Sequence, residues 1–104
     1  MAIAEADWRT FKEVRARALD RFSRRIVDEC RLVCDDQSVS DHARYLKLYD
    51  LLRQRDKEVQ RMFDDFRRST AIFCLMDMWR QGLVDEDELR QFSPEVVDWV
   101  KQRG

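Results

Sequence analysis

Acid–base and nucleophilic chemistry requires a histidine, an activated thiol or hydroxyl, or paired carboxylates with separated pKa values. This chain of 104 residues offers one histidine, three cysteines and two glycines. His42 lies in the polar stretch DDQSVSDH, with no serine or cysteine motif of the elbow or dyad type beside it, and reads as a surface or capping residue. Glycine at only 82 and 104 leaves no glycine-rich loop to cradle a phosphate. Cys30 and Cys34 sit four apart on the edge of one helical face, and with Cys74 and His42 they make up a four-ligand zinc set on paper. Structural zinc sites favour short CxxC knuckles, so the thiols read instead as small packed hydrophobes of a reducing compartment. The expectation is a protein without catalytic residues, cofactor or small-molecule substrate, and not an enzyme.

Residues 77–92, DMWRQGLVDEDELRQF, hold a more ordered pattern. They resemble the calcium loop of an EF-hand, with the family's first acid on Asp77, its glycine on Gly82, its apolar position on Val84, its ninth-position acid on Asp85 and its closing glutamate on Glu88, followed by Leu89 and Phe92. The resemblance implies Asp77, Asp85 and Glu88 as oxygen ligands. It extends only from about Ile72 to Phe92, and Trp79 and Gln81 stand where the family places further oxygen ligands. A helix closed by Gly82 and Leu83, followed by an acidic helix opened by the capping pair Asp85 and Glu88, accounts for the same residues without a metal. That reading is adopted, with no metal site.

Twenty basic residues against twenty-one acidic ones give a net charge of −1, so no whole-protein field steers the chain to nucleic acid or to a membrane. A local basic surface is the alternative. Residues 9–25 hold seven basic and two acidic side chains, and Arg17, Arg21, Arg24 and Arg25 are the candidates for contact with nucleic acid. Against that stands the acidic DEDELRQF, where a helix-turn-helix protein would place a basic reading helix. The start MAIAEADWRTF lacks a basic region followed by an apolar segment, and the longest apolar run, Ala71 to Met76, is far shorter than the roughly 20 residues of a membrane span. A cytoplasmic location without a membrane partner is expected.

The elements follow from periodicity. With 44% hydrophobic residues and only two glycines and one proline, the composition suits one all-α domain over residues 1–104. A first helix is expected from about 7 to 34, capped by Asp7, with Trp8, Phe11, Ala18, Leu19, Phe22, Ile26 and Val33 on its core face and Glu13, Arg17, Arg21 and Arg24 in water. A second runs from about 40 to 67, with Tyr45, Leu48, Leu52, Val59, Met62, Phe63 and Phe66 facing the core. A third covers 70–81 after a break capped by Ser69, and a short helical hairpin follows over 85–91 and 94–101, the latter opened by Ser93 and Pro94. The expected fold is a small bundle of three main helices plus that hairpin.

The stretch TAIFCLMDMW holds eight apolar residues and one acid, with Asp77 expected in an exposed strip beside Arg80. A helix apolar over most of its circumference either lies at the centre of a bundle or meets another chain. Phe73, Met76, Met78, Trp79 and Trp99 exceed what three helices need to cover one another, and these types are favoured in interface cores. The functional expectation is a helical interaction or assembly protein that self-associates as a homodimer or docks on a protein partner through these residues.

Overall fold

The computed structural model describes residues 2–104. They form an all-α protein of five helices with no strand: α1 Glu5–Asp35, α2 Asp41–Phe63, α3 Ala71–Arg80, α4 Glu86–Leu89 and α5 Pro94–Arg103.

Helix α1 starts earlier than its apolar pattern implies. Ala4 occupies the cap position and supplies no side-chain hydrogen bond. Asp7, expected to cap α1, lies inside its first turn and is 5% exposed. Its carboxylate accepts from the backbone N–H of Ser93 at 2.8 Å and from the Ser93 hydroxyl at 2.7 Å. Ser93 is the N-cap residue of α5, so the two hydrogen bonds tie the start of α1 to the start of α5 and satisfy a buried carboxylate. At the other end, Arg44 donates to the carbonyls of Asp36 and Val39 at 2.6 and 2.9 Å. This fastens the turn into α2, where the Ser40 hydroxyl accepts from the Ala43 N–H at 3.1 Å.

Helix α2 stops at Phe63 rather than near 67. The carbonyl of Phe63 accepts from Arg15 of α1 at 2.5 Å, and the Arg15 guanidinium lies 4.5 Å from the centre of the Phe66 ring. Phe66 turns back onto Trp8 and Phe11, at ring separations of 5.1 and 6.3 Å. A cation bound at the last carbonyls and an aromatic cluster beyond them favour the break over another helical turn. The cap of α3 is Thr70, not Ser69, and it makes no side-chain capping bond.

Helix α3 ends as its sequence implies. Gly82 has φ +69°, its N–H donates to the Trp79 carbonyl at 3.0 Å, and the Leu83 N–H donates to the Met78 carbonyl at 2.9 Å. This is the Schellman pattern, and its apolar pair, Met78 and Leu83, is wholly buried. Asp85 and Glu88 then form the full capping box of α4.

The core gathers at one end of the molecule. Phe11, Val14, Ala18 and Phe22 of α1 pack with Met62 and Phe63, with Ile72, Leu75 and Met78 of α3, and with Leu83, Leu89, Val96 and Val100. We refer to this part as the head. From Ser23 to Arg61 no residue is buried. There α1 and α2 run on as a two-helix arm, and the molecule measures 52 × 23 × 22 Å. Its radius of gyration is 16.7 Å, against about 13 Å for a compact chain of this length.

The Schellman turn generates a prediction. A Cβ on residue 82 would meet only the Arg25 side chain, at an ordinary 3.6 Å, so Gly82→Ala strains the backbone alone. It should cost about 1 kcal/mol and lower the midpoint of a thermal melt by roughly 4–8 °C with helicity unchanged.

Candidate functional site

Three surfaces stand out, and the structure distributes their residues differently from the sequence pattern. The first is the arginine row of α1. Arg17, Arg21 and Arg25 recur every four residues and reach the α3–α4 junction while staying partly exposed. Arg21 grips Glu88 with both arms of its guanidinium, at 2.5 and 3.1 Å, and also donates to the Leu83 carbonyl at 2.8 Å. Arg17 approaches the same carboxylate to 3.6 Å. Arg25 donates to the carbonyls of Gln81 and Gly82 at 2.8 and 3.2 Å. Cations therefore meet the carbonyls of the turn that closes α3 and the one acid buried beside them. Of the four arginines considered for nucleic acid, Arg24 alone has neither an ion pair nor a side-chain hydrogen bond among the described residues.

Glu88 is 5% exposed. Burial by itself raises a carboxyl pKa, but the Arg21 bonds, the Asp85 N–H at 3.0 Å and the charges of Arg21 and Arg17 outweigh it and hold Glu88 below the usual carboxylate range. The carboxylate that would close a calcium loop is thus committed to arginine. Asp85 accepts from the Glu88 N–H at 2.7 Å. Asp77, expected beside Arg80, lies 4.0 Å from Arg61 of α2, while Arg80 donates to the Arg103 carbonyl. Among the described residues no group of three or more potential ligands stands within reach of one ion.

The second surface, on α3, packs against α5, α1 and α2. Met78 is fully buried, which corrects its expected place at an interface: it is the apolar partner of Leu83 in the α3 cap. Met76, Trp79 and Trp99 are half-buried. Phe73 is 48% exposed and meets the Trp99 ring edge-on at 5.5 Å. Beside it the Cys74 thiol donates to the Met62 carbonyl at 3.0 Å, and burial pushes it up to about 11, which makes it a poor nucleophile.

The third surface is the arm. Its seam is built from Phe22, Ile26, Glu29 and Val33 of α1 against Arg44, Leu48, Leu51, Arg55 and Val59 of α2, with Arg55 paired to Glu29 at 3.0 Å and to Glu58 at 3.0 Å. This spacing of three and four is that of an antiparallel coiled pair. In such a pair, residues one step before the seam on each helix project to one side, and residues one step after it project to the other. Arg21, Arg25 and Arg61 belong to the first side and reach the head. Ser23, Val27, Cys30 and Cys34 of α1 share the second side with Tyr45, Tyr49, Leu52 and Asp56 of α2.

That second side is open. Val27, Tyr45, Tyr49 and Leu52 are 46–61% exposed, although Tyr45 and Leu52 carry the periodicity of a core face. A shallow groove of about 410 Å³, lined by Tyr49, Leu52, Arg53 and Asp56, lies along it. Periodicity identifies such a face without saying whether anything in the same chain reaches it. Among the described residues no helix is long and apolar enough to cross a membrane. Comparison with known protein families, curated proteins and solved structures finds no match to this chain.

The arginine row yields a prediction with a defined sign. Because the folded pKa of Glu88 is lowered, its contribution to stability is complete above the unfolded carboxylate value of about 4.3 and is lost as the pH falls through the folded value. Glu88→Gln should cost about 1–2 kcal/mol at pH 7, a figure discounted because the Arg21 side chain is 41% exposed. The cost should shrink as the pH falls below about 4, as measured by urea denaturation at pH 7 and pH 3.

Proposed function

We propose that this protein is a small cytoplasmic helical interaction protein that works by docking on another protein chain rather than by catalysis. The observation that carries the reading is the open face of the arm. Two helices cannot bury their apolar residues against each other alone, because a helix pair covers only one stripe of each. Monomeric proteins rarely leave contiguous apolar surface of this kind without a role. Tyrosines and leucines on a rigid helical pair also suit a protein-binding surface, since they bring contact area at low cost in side-chain entropy.

The proposed surface differs from the one expected on α3. Phe73 remains accessible, but Met78 is internal and Trp99 is packed on Phe73 and Arg103. The head is thereby assigned to stability and the arm to recognition. Arg44 and Arg55 hold the two arm helices in register and keep the face preformed before any partner arrives.

Photo-crosslinking in cells tests the assignment. Benzoylphenylalanine in place of Tyr49 should give a discrete protein adduct on irradiation, while the same group in place of Gln91, exposed on the head, should give none. Equal yields at both positions, or no adduct at 49, would remove the arm as an interaction element.

A further inference from the structure

The open face also indicates what covers it. We propose that a second copy of this chain packs on it, so that two arms form an intermolecular four-helix bundle about a two-fold axis through the groove at Tyr49, Leu52, Arg53 and Asp56. The proposal rests on the reading of the arm as an interaction element and names its partner.

Three observations support a like partner. The first is charge. Residues 23–61 carry nine basic and eight acidic side chains, a near balance that selects neither a polyanion nor a strongly basic partner and does not repel a copy of itself. Of the residues placed on the face, all but Asp56 are uncharged.

The second is self-complementarity at the groove. Arg53 and Asp56 stand three residues apart on α2, beside the groove, and neither is in an ion pair among the described residues. A two-fold axis between them, with the two α2 helices antiparallel, sets Arg53 of each copy beside Asp56 of the other. An isologous interface requires this reciprocity, and it places one ion pair on each side of the axis.

The third is area. The described chain exposes 6773 Å², where a compact monomer of 12.6 kDa exposes about 6,200 Å². The excess is of the size one copy gives up in a modest dimer. The arm, about 20 Å long on α1 and about 31 Å on α2, covers on the order of 1,000 Å² in total when paired, at the small end of specific interfaces. Four-helix packing is the common way for two such hairpins to close their apolar stripes.

Light scattering after size exclusion tests the proposal on the full chain, with far-UV circular dichroism to verify folding. The wild type should have twice the 12.6 kDa chain mass at about 100 μM. Tyr49→Glu with Leu52→Glu should give a helical monomer, and Phe73→Glu on the head should leave the dimer intact. Arg53→Asp should raise the dimer dissociation constant about tenfold, and adding Asp56→Arg should restore it. This exchange remains informative if the double glutamate variant fails to fold. A wild-type monomer, or a dimer indifferent to both sets of changes, would overturn the proposal. The adduct at position 49 separates the two levels of inference. An adduct of twice the chain mass supports the second copy. An adduct of another mass, with a monomer in solution, overturns the second copy and leaves the arm an interaction element. No adduct with a monomer overturns both.

Discussion

Helix α1 is longer than anything that packs on it. Its 31 residues extend about 46 Å, and the head reaches only its first two thirds. The rest of the architecture is arranged around that mismatch. Where α1 has neighbours on two sides, it contributes Phe11, Val14, Ala18 and Phe22 to a closed core. Where it has only α2, the same 3.6-residue periodicity continues but closes nothing. A helix pair shields one stripe of each helix, so a chain of alternating stripes emerges from the head half-covered.

Arginines line the occupied side of that pair. A guanidinium offers a planar array of donors and keeps its charge at any accessible pH. It can therefore close a helix end by binding several carbonyls or by combining carbonyls with a carboxylate. Arg15 does this at the end of α2, Arg25 at the end of α3, and Arg21 at the junction of α3 with α4 through Leu83 and Glu88. All three project from α1, so the first helix is both the spine of the core and the source of cations for its neighbours' C-termini. Arg21 and Arg25 lie on the side of the hairpin that meets the head. Tyr45, Tyr49 and Leu52 lie on the opposite side and stay exposed.

The two halves of the molecule consequently have different stabilities to draw on. The head combines apolar burial with hydrogen bonds between distant segments, such as Asp7 with Ser93 and Arg68 with the Ile3 carbonyl. The arm relies on an intermediate seam and on ion pairs that are partly solvated, including Arg55 with Glu29. Such pairs contribute about 0–1 kcal/mol each. The arm therefore draws less of its stability from burial than the head does.

The sequence by itself determined the helical class, the number of helices and most of their ends. Gly82 with Leu83, the Asp85 and Glu88 box, and Ser93 with Pro94 act through neighbours within a few residues, so their geometry is written locally. The tertiary structure decided what local patterns leave open. Asp7 has the chemistry of a cap for its own helix, yet its donors come from Ser93, eighty-six residues away. Arg17, Arg21 and Arg25 have the spacing of a solvated stripe, yet they meet an acid and carbonyls more than fifty residues on. Tyr45 and Leu52 carry the same core-face period as Met62, but only Met62 lies where the head can reach. Periodicity records that a helix face is apolar, and the distance along the chain between packing partners is what keeps it from recording which face is covered, and by what.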